Sequence, residues 1–155
     1  MASSTSDGTA AARRSSVFLL IAYVVHFAEE WFGGISTWAK AALGYDVSIE
    51  RLLLLNGIAF VLFVIGTIAS MRSSRMAWFS VSFATVLGLN GVLHTLATIG
   101  LGQYSPGTVT GLALYIPLST MVLRSSAARL GSSTFKRSVI AGVLFHALVT
   151  ILAVA

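Results

Sequence analysis

The sequence predicts an all-α protein: a membrane-embedded bundle of about five transmembrane helices with a short amphipathic helix on its outer surface. Three observations predict it. Of 155 residues, 56% are hydrophobic and only 10% charged, far from the quarter-charged composition usual in a soluble domain. Apolar stretches near the spanning length of about 17 to 25 residues can be placed at 15–34, 51–71, 77–99, 107–123 and 138–155. The basic residues gather in alternate connections between them, as the positive-inside rule requires.

Residues 1–14, rich in Ser, Ala and Thr and ending in Arg13-Arg14, read as a disordered cytoplasmic tail ahead of a single helical domain over 15–155. A cleaved twin-arginine signal is the rival reading, but the apolar run that follows lacks an Ala-x-Ala site and is taken as a retained first helix. Backbone satisfaction in lipid makes each span a helix. After the first span, Ile35, Trp38, Ala42, Tyr45 and Ile49 recur at helical spacing. They predict an amphipathic helix that serves as an interfacial anchor or as a lid. The loop from Gly100 to Gly107 carries Pro106-Gly107, a tight-turn signal without charge. In the fourth span Pro117 predicts a kink that frees the carbonyl of Ala113.

Arg13, Arg14, Arg72, Arg75, Arg124, Arg129, Lys136 and Arg137 fall on one side of this topology, with Lys40 and Arg51 on the other. The expectation is therefore a bacterial inner-membrane protein with its N-terminus in the cytoplasm and its C-terminus outside. The net charge of +5 is explained by these loops facing headgroups, which argues against a nucleic-acid partner. Cysteine is absent, which excludes disulfides, thiolate metal sites and a cysteine nucleophile.

Against this apolar background His26-Phe27-Ala28-Glu29-Glu30 stands out. An ionised acid at the middle of a membrane helix costs about 2.5 to 3.5 kcal/mol on insertion scales, so two adjacent glutamates demand partners, a metal or protons. Counting about 1.5 Å per residue from the outer ends of the spans puts Glu29, Glu30, Asn56, Asn90 and His94 roughly 6 to 14 Å deep. His26, Tyr115 and His146 fall somewhat deeper. All three histidines of the chain can thus meet both acids in one interior. Asn90 and His94 share a face of their helix, with Gly88 and Gly91 permitting close approach of a neighbour. Asn56 and Asn90 read most simply as interhelical hydrogen-bonding groups, and His146, alone on its span, as a packing residue or a further ligand.

The zincin motifs His-Glu-x-x-His and His-x-x-Glu-His place ligands and a base on one helical face. Here the order is His-x-x-Glu-Glu. By that spacing, His26 and Glu30 are metal ligands, His94 or His146 completes a three-ligand site, and Glu29 is the general base. Which acid ligates and which acts as base is left open by the spacing. A di-iron carboxylate bundle needs more acids than these two. The expected cofactor is a divalent metal, zinc first and iron second.

These residues resemble the HXXEE-domain family of bacterial membrane proteins. His26 to Glu30 match its naming motif, His94 its further histidine, and Tyr104-Ser105-Pro106-Gly107 its Tyr-x-Pro-Gly, in order over about residues 17 to 123. The resemblance implies functional roles for His26, Glu29, Glu30, His94 and the Tyr104–Gly107 turn, and leaves His146 outside the motifs. Glu29 and Tyr104, with Asn90 and Tyr115 from their depth in the bundle, are the catalytic candidates.

Three functions are compatible with these residues. The first is a metalloenzyme, hydrolytic with zinc or oxidative with iron, acting on a lipophilic small molecule drawn from the bilayer or the outer face. The second is a metal-free acid–base enzyme for isomerisation, epoxide opening or prenyl-chain cyclisation. The third is a proton-coupled carrier or binding protein, for which so few spans favour a homo-oligomer.

Overall fold

The computed structural model describes the backbone of residues 4–155 and the side chains of residues 16–155. The expected tail over 1–14 lies outside the described side chains. Every described regular element is helical: α1 (Ser4–Phe32), α2 (Ile35–Leu43), α3 (Ile49–Arg72), α4 (Ala77–Leu101), the single turn α5 (Thr108–Thr110), α6 (Ile116–Ala127) and α7 (Ser132–Val154). A 3₁₀ turn, Ser74–Met76, leads into α4, and a π turn, Gly111–Tyr115, joins α5 to α6.

α4 is the central helix. It packs against α7, α6, the π turn and α3, while α1 closes the bundle against α6 and α3. The consecutive residues Val81 to Leu87 of α4 are all buried, which a surface helix with one apolar stripe would not show. Large apolar side chains elsewhere face outward, among them Phe18, Leu54, Ile65, Leu144 and Ile151. Small and hydroxyl residues such as Ala22, Ala59, Ala84, Ser119 and Ser138 are buried instead. This distribution suits helices that associate in lipid, where small residues allow close approach and hydroxyls bond across helices. Ser82 on α4, for example, donates to the carbonyl of Ser138 on α7 at 2.8 Å.

Among the described residues, three stretches are long and apolar enough to cross a membrane: Ile49–Arg72, Ser74–Leu101 and Ser132–Val154. A fourth is added if Ser16–Phe32 and α2, bent by 64°, form one broken span. The expected count of about five is thus met only in part. The difference lies at 107–123, where the chain is helical but divided by the π turn. Pro117, at the start of α6, explains the division. It lacks an N–H and its ring crowds the carbonyl four residues back. The helix widens just before it, and the N–H of Ile116 bonds to the carbonyl of Gly111, five residues back.

The amphipathic helix is shorter than expected. α2 ends at Leu43, because Gly44 adopts φ 77° and turns its N–H back to the carbonyls of Ala39 and Lys40. Tyr45 lies in the connection that follows and Ile49 opens α3.

Gly91 of α4 and Gly111 of the π turn let two backbones touch. A Cβ on Gly91 would lie 3.0 Å from the Gly111 oxygen and 3.1 Å from the Tyr115 Cβ. Gly91→Leu is expected to destabilise the protein by about 2 kcal/mol, the usual scale of overpacking, and to lower its melting temperature in detergent. An unchanged melting temperature would show that these helices separate freely.

Candidate metal centre

The site is assembled by α1, α4 and the turn that follows α4. Gly102, at φ 66°, ends α4. The N–H of Thr108 bonds to the carbonyl of Ser105 at 3.0 Å. Pro106 and Gly107 occupy the two central positions, with Gly107 at φ 102°, ψ −10°. This is a type II turn, which favours Pro and then Gly in that order. Gly107 is required for a second reason: a Cβ there would lie 2.8 Å from the His26 ring and 3.0 Å from the His94 ring. The turn is anchored by Thr98, whose hydroxyl accepts from the N–H of Ser105 at 2.9 Å.

Both imidazoles are oriented through Nδ1. His26 Nδ1 lies 2.7 Å from the Thr110 hydroxyl, and His94 Nδ1 lies 3.0 Å from the Ser105 hydroxyl. Each ring consequently presents Nε2 to one oxygen, Glu30 Oε1, at 3.4 Å from His26 and 3.0 Å from His94. His26 and Glu30 are buried, and His26 Nε2 has no hydrogen-bond partner. Tyr115 stacks on the His26 ring at 4.2 Å between centroids. The ligand atoms of His26, Glu30 and His94 all lie within 4.8 Å of one another. Two bonds of about 2.0 to 2.1 Å at a tetrahedral angle separate their ligand atoms by about 3.3 Å, close to the two distances found. In the tautomer whose Nδ1 donates to its hydroxyl, Nε2 carries the free lone pair, the arrangement usual for metal-ligating histidine; in the other, the Nε2–H of His94 donates to Glu30.

The adjacent acid has a different setting. Glu29 Oε1 accepts from the N–H groups of Gly107 and Val109, each at 3.0 Å. Oε2 accepts from the N–H of Thr110 at 2.7 Å, and the Tyr104 hydroxyl donates to Oε1. Gly107 has no side chain with which to cap the helix that starts after it, and Glu29 of α1 supplies that cap from across the interface. Partial desolvation of the half-exposed Tyr104 phenol, and next its bond to Glu29, push its pKa up to about 12, so it stays a donor at neutral pH.

Of the other expected residues, Tyr115, Asn90 and His146 line one cavity of about 250 Å³ with His26, Glu30 and His94. The remaining walls are mainly apolar, and Ile35, Trp38, Ala39 and Leu43 of α2 lie along it, a placement that suits a lid. Glu29 and Tyr104 are not among the residues lining it. His146 is likewise not one of the three residues whose ligand atoms converge. Asn56 accepts from the Tyr23 hydroxyl at 2.6 Å, tying α3 to α1 as an interhelical hydrogen-bonding group. Thr110 was missed by the sequence reading, and Ser105 had no role of its own there. The signal that would have found them is the hydroxyl-rich run from Ser105 to Thr110, too close to His94 and to an apolar helix to be an ordinary loop.

Fold and site together define an all-helical protein, with helices long and apolar enough to cross a membrane and a His–Glu–His cluster in its interior. Residues 17–122 match the family described as "Protein of unknown function with HXXEE motif", and the chain belongs to that family. No curated protein and no solved structure matches it.

Glu29→Gln should loosen the turn while sparing the His–Glu–His cluster. Loss of charge-assisted bonds worth about 1.5 to 3 kcal/mol is expected to speed amide exchange at Gly107, Val109 and Thr110 by roughly tenfold or more. Hydrogen exchange read by mass spectrometry checks this, and unchanged protection would refute the capping role.

Proposed function

We propose that the chain is a small membrane-embedded metalloenzyme, hydrolytic in its primary reading, that acts on a lipophilic substrate at His26, Glu30 and His94. The supporting observation is the convergence of two imidazole Nε2 atoms on one buried carboxylate oxygen beside a mainly apolar cavity. Two nitrogens and one oxygen form the donor set of a catalytic zinc site that keeps one position for water. Zinc in such a site lowers the pKa of its water to about 7 and polarises a carbonyl or phosphoryl oxygen. The same donors also suit ferrous iron, which would make the reaction an oxidation. Asn90 and Tyr115, on the cavity wall, are the residues placed to meet substrate, and Glu29 and Tyr104 hold the turn that orients the imidazoles.

We further propose five crossings, with 108–127 spanning as one interrupted helix of about 30 Å at 1.5 Å per residue. The basic residues at the α3–α4 and α6–α7 connections would then face the cytoplasm of a bacterial inner membrane. A metal-free reading is favoured by one feature. Glu30 sits between two imidazoles that each end on a hydroxyl, which is also the layout of a proton relay. Such a relay would serve an acid–base isomerase or cyclase, or a proton-coupled carrier.

Elemental analysis of protein purified in mild detergent separates these readings. Near-stoichiometric zinc or iron is expected in the wild type, falling by about tenfold or more in His26→Ala, Glu30→Ala and His94→Ala, since each removes one of three ligands. A wild type that takes up no metal after resupply would sink the metalloenzyme and leave the relay.

A further inference from the structure

Beside the cavity of the His–Glu centre lies a second one, of about 360 Å³, between α3, α4 and α7. Phe63, Val86 and Phe145 line both and form a shared wall. The two differ in chemistry. In the first, Asn90 Oδ1 and His146 Nε2 are buried without hydrogen-bond partners, a state that proteins seldom leave uncompensated. In the second, Ser82 carries the one hydroxyl, and it is already directed to the carbonyls of Ser138 and Trp78, at 2.8 and 3.2 Å. A polar group thus finds partners only on the first side and an apolar chain is matched on the second. The shared wall is unevenly held. Phe63 is buried and stacked on Phe83 at 3.9 Å. Phe145 is half-buried and meets Phe63 at a tilted 6.0 Å, so it is the less tightly held of the two rings.

We propose that the substrate of the His–Glu centre is a single-chain amphiphile, with its polar head against Glu30, Asn90 and His146 and its chain running past Phe145 into the second cavity. This rests on reading the centre as the site of a lipophilic substrate. A head-group hydroxyl meets the chemistry of the first cavity, since it donates to Asn90 Oδ1 and accepts from the Nε2–H of a neutral His146. The chain removes apolar surface from water or lipid packing defects along Leu62, Ala69, Phe79 and Ala141, all on the second wall.

Photolabelling tests the proposal on the full chain in detergent. The probes are 1-hexanol and 1-tetradecanol, each carrying a diazirine at the chain end, with adducts mapped by mass spectrometry. The hexanol probe should mark the first cavity, and the tetradecanol probe should mark Met76 and Phe79 in the second, suppressed by excess unlabelled tetradecanol. Ala141→Phe, which narrows the second cavity, should reduce the long-chain adducts severalfold and spare the short-chain ones. Phe145→Ala should act oppositely and admit the hexanol probe to Met76 and Phe79. Adducts at Met76 and Phe79 that ignore chain length, competitor and both variants would be detergent-borne contact and would overturn the proposal. Metal content is measured on the same preparation. Chain-dependent labelling of a metal-free protein would therefore refute the metalloenzyme and keep the amphiphile, and a metal-loaded protein without such labelling would do the reverse.

Discussion

Glu30 is a buried carboxylate in a mainly apolar interior, and the surrounding structure is arranged around that constraint. Desolvating such a group costs several kcal/mol unless charge and hydrogen bonds offset it. The offset comes from His94 at 3.0 Å and His26 at 3.4 Å. Those rings are held in turn by Ser105 and Thr110, which flank the type II turn at Pro106-Gly107, and the turn is held by Glu29. Adjacent residues on a helix point about 100° apart. That single step explains how two neighbouring glutamates share one helix yet serve different neighbours, Glu30 the imidazoles and Glu29 the backbone of the next segment.

The irregular stretch before α6 belongs to the same arrangement. Thr110 bonds to the His26 ring and Tyr115 stacks on it, although the two are five residues apart. In an α-helix, positions five apart lie about 140° apart around the axis and do not meet one ring. An i→i+5 turn brings them nearly into line. Pro117 enforces the wider turn, and Gly111 lets it rest against Gly91 of α4. A feature that shortens the apparent membrane span thereby gives His26 both its hydroxyl partner and its stacking face.

What the sequence disclosed, and what it withheld, divides along the range of the interactions. His26 and Glu30 are four apart on one helix, Asn90 and His94 likewise, and Pro-Gly fixes its own turn, so each was legible from local spacing. The meeting of His26, Glu30 and His94 followed from depth in the bilayer alone. The roles of the two acids did not follow, because positions three and four residues after His26 both lie near its face. Only the neighbouring segment decides between them, and the turn that claims Glu29 lies some 75 residues further along the chain. The same holds for Thr110 and Ser105, whose hydroxyls carry no distinctive pattern until the imidazoles they orient are in place. α2 ended early at Gly44, a stop signal that the spacing of Ile35, Trp38 and Ala42 did not outweigh.

The open volume inside the bundle follows from how these helices associate. α4 meets α6 and α7 through small and hydroxyl residues that bring backbones together, and space there is used up. α3 stands closer to α4 and α1 than to α7, which it touches only briefly. The gap is filled by aromatic rings, Phe63 and Phe145, whose shape cannot match the close contact of glycine and serine. Both cavities border those rings. A bundle held together on one side by small residues and on the other by large ones leaves its open volume where the large ones meet. In this chain that volume begins at Glu30.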